Sequence, residues 1–169
     1  MRMLAALLLF GGLASFGVNA AQNLKCCVDE LREMTVGIQV IRRELNYSLA
    51  PLSELFQKAA AQTSGETNLF FADCASRIEM MSGEAFDNIW RCALENRKFC
   101  FKQKDYSILK QLGSVLGRYD ADEQVKLLDR TAEQLEQRRI QAAEEKERMG
   151  RVYVVLGFVT GMFVLIALL

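Results

Sequence analysis

The sequence QLGSVLGRYDADEQVKLLD, residues 111–129, contains the turn that decides the fold. Its two glycines, Gly113 and Gly117, are followed by Asp120, after which a helix-forming run resumes at once. Glycine readily adopts the left-handed conformation that ends helices, and aspartate accepts hydrogen bonds from the free amides at a helix start. The stretch therefore predicts one helix that ends at Gly117 and another that begins after Asp120, with Glu123 completing a capping box.

The chain after this turn contains no proline up to its last residue. Positions three or four apart form one stripe, as in the seam of a coiled coil. The stripe consists of Val125, Leu128, Ala132, Leu135, Arg139, Ala142, Lys146 and Met149, so it is apolar first and more polar later. This pattern predicts a single final helix of about 50 residues, roughly 75 Å long.

Both ends of the chain are apolar. Residues 3–21 carry no charge, and residues 152–169 are uncharged as well. Because a helix of about 20 apolar residues spans a bilayer, we predict membrane segments at 1–22 and 151–169, with a helical domain at 23–150 between them. The first segment also fits a secretory signal peptide cleaved near Ala20, and this alternative stays open.

Basic residues are distributed unevenly around the two apolar segments. The domain side carries Lys25, Arg32, Arg138, Arg139, Lys146, Arg148 and Arg151, whereas the other side has Arg2. Positive charges near membrane segments favour the cytoplasmic side, so we expect the domain to face the cytoplasm of a cell membrane that it crosses twice. A loop of this length can also be translocated regardless of its charge.

The first helix continues from the first membrane segment, since no breaker separates them. Its apolar stripe consists of Leu24, Val28, Leu31, Met34, Ile38, Ile41 and Leu45. We expect this helix to reach about Leu49, with a bend at Gly37 because glycine weakens helices. Pro51 then marks a boundary and begins a short second helix at Leu52.

The middle of the chain predicts three more short helices. A loop is expected at residues 62–67, and Ser82 is expected to cap the helix that carries Trp90. After a polar link at residues 97–104, Asp105 can cap a helix that runs from Tyr106 to Leu116. Phe70, Phe71, Phe86 and Trp90 fall on apolar stripes and are predicted to form a core.

The predicted helices combine into an all-α bundle. The first helix leaves the membrane and the last returns to it, so the two must lie side by side and antiparallel with their apolar stripes facing. The short helices between Pro51 and Gly117 then cover the far end of this pair.

Composition argues against catalysis and against nucleic-acid binding. The chain has no histidine, and its 21 basic and 21 acidic residues balance. The five cysteines are Cys26, Cys27, Cys74, Cys92 and Cys100. Adjacent cysteines suit neither a zinc pair nor a relaxed disulfide, so we expect free thiols in a reducing compartment. No catalytic residue, metal site or cofactor is predicted, and the chain is not expected to be an enzyme.

Two further glycines, Gly157 and Gly161, lie four residues apart in the last apolar segment. Small residues at this spacing let two membrane helices approach closely, which would permit a homo-oligomer. Glycine is also common in membrane segments without such a role, so the spacing alone does not decide between the two readings.

Three stretches in order resemble a known family. They are LNYSLAPLSEL (45–55), DYSILKQLGSVLGRYDADEQVKLLDRTAEQLE (105–136) and RVYVVLGFVTGMFVLIALL (151–169). Together they resemble the stage III sporulation protein AB family of endospore-forming bacteria. The resemblance implies a subunit, without enzymatic activity, of the complex that links the mother cell to the forespore. Its helical domain would be similar to the cytoplasmic domains of type II secretion and type IV pilus platform proteins.

The resemblance also implies partners and structural residues. Platform proteins couple a cytoplasmic ATPase to a membrane assembly, so the stage III AA ATPase and other products of the same operon are expected partners, with no small-molecule substrate. The residues expected to hold the turns or to form interaction surfaces are Tyr47, Pro51, Leu52, Tyr106, Gly113, Gly117, Asp120 and Gln124. The alternative function is a signal-cleaved, tail-anchored binding or sensor protein on the outer side of the membrane.

Overall fold

Helices form the whole regular structure of the part of the chain that the structure describes. This computed structural model describes residues 2–47, 50–80, 83–116 and 121–168, with side chains from residue 22 to residue 152 apart from Ala121. The helices are α1 (Arg2–Tyr47), α2 (Leu52–Ala61), α3 (Gly65–Met80), α4 (Phe86–Glu95), α5 (Gln103–Val115) and α6 (Ala121–Leu168). These ranges contain no strand, so the predicted all-α class is confirmed.

The two long helices, α1 and α6, share the largest interface. Near the end of α1, Arg42 pairs with Asp129, which lies early in α6, at 2.8 Å. Midway along α1, Cys26 is bonded to Cys100, and Lys102, just beyond Cys100, pairs with Glu145 midway along α6. The helices are therefore antiparallel, as predicted. We call the end at Tyr47 and Gln124 the turn end, and the end at Gln22 and Val152 the terminal end.

The apolar stripe of α1 forms one side of the hydrophobic core. Leu31, Met34, Ile38 and Ile41 are between 0% and 1% exposed. From α6, Leu128, Ala132, Leu135 and Ala142 cover the same stripe. Burial of apolar side chains on this scale is the main source of the bundle's stability.

Aromatic side chains fill the space above α1, where α2 to α5 meet. The rings of Phe70 and Trp90 pack edge to face with centroids 4.8 Å apart, and Phe71 is fully buried beside Phe70. The predicted aromatic core is therefore confirmed. The link before α5 is less polar than predicted, because Phe99 and Phe101 are buried in it as a stacked pair.

Several predicted helix boundaries are wrong by a few residues. The loop predicted at 62–67 is shorter, since α3 begins at Gly65, whose φ of +60° suits glycine. Ala85, not Ser82, occupies the position before α4, and Ser82 itself lies outside the described residues. Asp105 is the third residue of α5 rather than its cap, because its carboxylate accepts from the amide of Lys102, the cap residue.

None of the helices in the described part of the chain combines the length and the hydropathy that a membrane span requires. The segments predicted to cross a membrane, 1–22 and 151–169, lie almost entirely outside the residues whose side chains are described.

Candidate functional site

Four of the residues singled out in the sequence belong to the turn end. Tyr47 is the last residue of α1 and is 85% exposed. Pro51 precedes α2 in an extended conformation, and Leu52 begins α2 and packs partly against the core. Gln124 lies near the start of α6, beside the end of α1 in the antiparallel register. The structure thus brings Tyr47, Pro51, Leu52 and Gln124 to one end of the bundle.

The turn between α5 and α6 falls where the sequence predicts it. The last helical residue of α5 is Val115, and the amide of Leu116 donates to the carbonyl of Leu112 at 2.9 Å. The next helix begins at Ala121. Gly117 and Asp120, predicted to end and begin these helices, lie outside the described residues, and so do the surroundings of Gly157 and Gly161 within α6.

Gly113 lies in the body of α5 rather than in the turn. It is buried, and a Cβ built on it would overlap the indole ring of Trp90. The indole Nε1 of Trp90 donates to the backbone carbonyl of Leu109 at 2.8 Å, one turn before the glycine. Gly113 therefore allows the ring to reach this carbonyl, and the contact joins α4 to α5.

Tyr106 lies near the start of α5, far along that helix from the turn. Its ring packs edge to face on Phe101 with centroids 5.7 Å apart. Burial, together with the negative charge of Glu30 in α1, raises the pKa of the Tyr106 hydroxyl. Tyr106 thus helps to fasten α5 to the link before it and does not meet the residues of the turn end.

An open groove runs between α1 and α6 on the way to the turn end. Its volume is about 720 Å³, and its lining includes Val36, Val40, Arg42, Arg43, Glu133 and Glu136. Arg42 and Asp129, both about half exposed, pair across it. The lining combines three apolar side chains, Val36, Val40 and Ala132, with charged side chains of both signs.

A buried ion pair ties α5 to α6. The carboxylate of Asp105 is 0% exposed, accepts from the Nε of Arg138 at 2.7 Å and also accepts from the amide of Lys102 at 2.9 Å. The desolvation of the carboxylate is offset by these two hydrogen bonds. Periodicity could not predict this pair, since its members are 33 residues apart on different helices.

Cys26 and Cys100 form a disulfide, so the predicted free thiols are wrong for this pair. Their Cα atoms are 6.0 Å apart, an ordinary spacing for a disulfide. The bond fastens α1 to the link between α4 and α5 across a sequence separation of 74 residues. Adjacency of Cys26 and Cys27 does not prevent it, because successive helical residues point in different directions and Cys27 faces the core.

The carboxylate of Glu30 lies beside this disulfide. Its Oε2 accepts from the backbone amide of Cys100 at 2.6 Å. Burial raises the pKa of Glu30, while the hydrogen bond from Cys100 lowers it and the negative charge of Glu66 raises it further. Cys26, Glu30 and Cys100 are all partly buried, and their potential ligand atoms lie within 4.8 Å of one another. We call these three residues the thiol–carboxylate cluster.

The remaining cysteines are free, and they differ in access. Cys27 and Cys74 are buried, whereas Cys92 is exposed. Burial, with a contribution from Asp105, raises the pKa of the Cys27 thiol to about 11, and burial raises the pKa of Cys74 as well. Both buried thiols are therefore protonated near neutral pH and are poor nucleophiles.

Comparison with known proteins decides the family. The family model described as stage III sporulation protein AB matches residues 2–169. The chain belongs to the stage III sporulation protein AB family. Membership in this family confirms the resemblance drawn from the three sequence stretches and makes the chain a sporulation protein. The family is not a known enzyme family.

Two proteins of the stage III AB family are similar to this chain. Stage III sporulation protein AB of Bacillus subtilis (strain 168) is 23% identical over 142 residues, which are 83% of this chain and 82% of that protein. A solved structure of stage III sporulation protein AB is similar with a TM-score of 0.64 and 21% identity, and the match covers 70% of this chain and 94% of that one. At this identity the structural likeness shows a shared fold.

Proposed function

We propose that this chain is a membrane-anchored scaffold subunit, without enzymatic activity, of a secretion-like complex between mother cell and forespore. Its bundle lies on the cytoplasmic side of the mother-cell membrane. There it docks the stage III AA ATPase and contacts other products of the same operon. The observation that carries the proposal is the antiparallel pairing of α1 with α6, because the chain then enters and leaves the bundle at the terminal end.

The turn end is the surface that we assign to docking. It is the part of the bundle farthest from the apolar segments, so a large cytoplasmic partner reaches it without meeting the membrane. Tyr47, 85% exposed there, is a residue type enriched at the centres of protein interfaces. A rigid aromatic side chain of this kind offers contact area at little cost in conformational entropy.

Docking is tested by co-purification of the ATPase with the full chain in detergent. We expect Tyr47→Ala to reduce the recovered ATPase at least several-fold. Ile140→Ala is the matched control, because Ile140 is also exposed, at 45%, but lies in α6 away from the turn end. Equal recovery of the ATPase with both variants would show that the turn end is not the docking surface. Absence of any ATPase with the unaltered chain would show that the ATPase is not a partner.

A second candidate function is favoured by the disulfide. Disulfides persist in oxidising compartments and are rare in the cytosol. The bond between Cys26 and Cys100 therefore supports the alternative in which the domain faces the outer side as a tail-anchored binding or sensor protein. The basic residues near the apolar segments favour the first candidate, so the orientation needs a direct measurement.

Cys92 provides that measurement, because it is the free cysteine with an exposed side chain among the described residues. A membrane-impermeant maleimide is added to intact and to permeabilised cells, with Cys92→Ser as the control for specific labelling. Labelling of Cys92 only after permeabilisation is the expected result and fits the cytoplasmic scaffold. Labelling in intact cells would overturn it in favour of the outward-facing protein.

A further inference from the structure

The thiol–carboxylate cluster has the composition and spacing of a metal site. Cys26 and Glu30 are four residues apart on α1, so both side chains extend from one face of the helix. Cys100 approaches that face from the link before α5. Three side chains from two separate segments thus converge on one point, with all potential ligand atoms within 4.8 Å of one another.

We infer that, when its disulfide is reduced, this cluster binds a borderline-soft divalent cation of the Zn²⁺ class through the sulfurs of Cys26 and Cys100 and a carboxylate oxygen of Glu30.

The spacing suits such an ion. Ligand atoms around a tetrahedral zinc ion lie about 3.8 Å apart, given Zn–S bonds of about 2.3 Å. The cluster needs only a small separation of the two sulfurs to reach this arrangement, and the 6.0 Å between the Cα atoms of Cys26 and Cys100 allows it. All three residues are partly exposed, so an ion can enter and water can take the fourth position.

The surroundings orient the ligands. One oxygen of Glu30 accepts from the amide of Cys100 at 2.6 Å, which holds the carboxylate beside both sulfurs and leaves its other oxygen as a ligand. The ammonium of Lys102, two residues after Cys100, is paired with Glu145 of α6, so its charge is balanced close by. Two thiolates with one carboxylate select zinc or cobalt over magnesium and calcium, which prefer oxygen ligands.

The reaction that prepares the site is an exchange with a dithiol. The Cys26–Cys100 bond breaks as it takes up two electrons and two protons from the dithiol, which itself becomes a disulfide. Binding of the cation to the two thiols then releases their two protons to solvent. The disulfide and the metal complex are thus alternative cross-links between α1 and the same link, and the inference does not depend on the proposed docking function.

Cobalt binding tests the inference. The full chain in detergent is reduced with a dithiol, freed of the reductant without oxygen and titrated with Co²⁺, whose thiolate complexes absorb in the near ultraviolet. We expect one Co²⁺ per chain, displacement of the absorption by Zn²⁺, and no absorption in the oxidised protein. Zn²⁺ should also raise the melting temperature of the reduced protein, but not that of the oxidised protein.

Variants identify the ligands. Loss of a residue that only supports a metal ligand costs up to roughly 100-fold in affinity, and Cys100→Ser, which removes a ligand, should weaken Co²⁺ binding by more than this. Glu30→Gln should also weaken binding, but the absorption from the two thiolates should still appear at high Co²⁺ concentration. Cys92→Ser, which alters the exposed free thiol, should change nothing. The inference is overturned if the reduced protein shows no absorption, if Glu30→Gln binds as tightly as the unaltered chain, or if Cys92→Ser abolishes binding. Because Glu30→Gln keeps the side-chain shape, it decides the matter even where Cys100→Ser fails to fold.

Discussion

Trp90 lies directly against Gly113, so that the indole ring occupies the space that a side chain on α5 would need. The same ring donates its N–H to the carbonyl of Leu109 at 2.8 Å. Because Gly113 has no side chain, it leaves space for the indole ring, and the hydrogen bond fixes how α4 and α5 pack.

Gly113→Ala should therefore destabilise the protein. The added methyl group must displace the buried Trp90 ring, and overpacking of this kind costs about 1–3 kcal/mol in the free energy of unfolding. Gly150→Ala is the control, since nothing lies within 4 Å of a Cβ at that exposed helical position. There the change should be neutral or stabilising by up to about 1 kcal/mol. Urea unfolding followed by far-UV circular dichroism measures both, and equal effects would contradict the role of Trp90.

Gly37→Ala should destabilise for a related reason at a different place. A Cβ on Gly37 would overlap the ring of Phe71, which is fully buried in α3. We expect a loss of about 1–3 kcal/mol, most of it recovered in a Gly37→Ala, Phe71→Leu double variant relative to Phe71→Leu alone. If the changes in unfolding free energy of the two single variants simply add, the close approach of α1 to α3 does not explain why a glycine is needed at position 37.

Asp105→Asn should cost far more stability than the corresponding change at an exposed pair. Removing one partner of a buried ion pair typically costs about 3–5 kcal/mol, because the other charge is left without compensation. Asp105 is 0% exposed, whereas the carboxylate of Asp129 in the pair with Arg42 is 46% exposed. Asp129→Asn should therefore cost less than about 1 kcal/mol. Similar unfolding midpoints for the two variants would contradict the structural importance of Asp105.

The stability of the protein should fall as the pH rises above the pKa of an ordinary thiol. The pKa of Cys27 is raised from an ordinary 9.0 to about 11 in the folded protein. Between these values the unfolded chain gives up the thiol proton and the folded chain keeps it, so rising pH favours unfolding. The free energy of unfolding of Cys27→Ala should decline less between pH 9 and pH 11. Parallel declines in both proteins would assign the pH dependence to other groups.

Reduction of the disulfide should weaken the bundle in the absence of metal. Closing a loop between residues separated by 74 positions stabilises a protein by about 4 kcal/mol on the chain-entropy account, and measured values are typically about 2–4 kcal/mol. A reductant should therefore lower the melting temperature of the chelator-treated protein but not that of Cys26→Ser. Unchanged melting on reduction, with the thiols shown to be free, would mean that the bond does not constrain the fold.

Periodicity in the sequence predicted most of the fold. The stripe of Leu31, Met34, Ile38 and Ile41 is buried as predicted, and α5 ends at Val115 and α6 begins at Ala121, within a residue or two of the predicted boundaries. These features are local, because the residues that determine them are one or two helical turns apart.

What the sequence did not reveal depends on distant contacts. The disulfide joins residues separated by 74 positions, and the buried carboxylate of Asp105 is paired with Arg138, which lies 33 positions later in α6. The helix α1 continues through Gly37, and the missing side chain makes room for Phe71. From sequence alone, a glycine that weakens a helix cannot be distinguished from one that makes room for an aromatic ring of a neighbouring helix.

The antiparallel pairing of α1 and α6 also constrains how the protein is made. Arg42 and Asp129 are 87 positions apart, so the apolar stripe of α1 leaves the ribosome long before the helix that covers it. Contacts between distant parts of a chain form late and leave hydrophobic surface exposed in the meantime. A nascent chain stalled before α6 would therefore present this stripe to chaperones, and the last helix to be synthesised completes the core of the first.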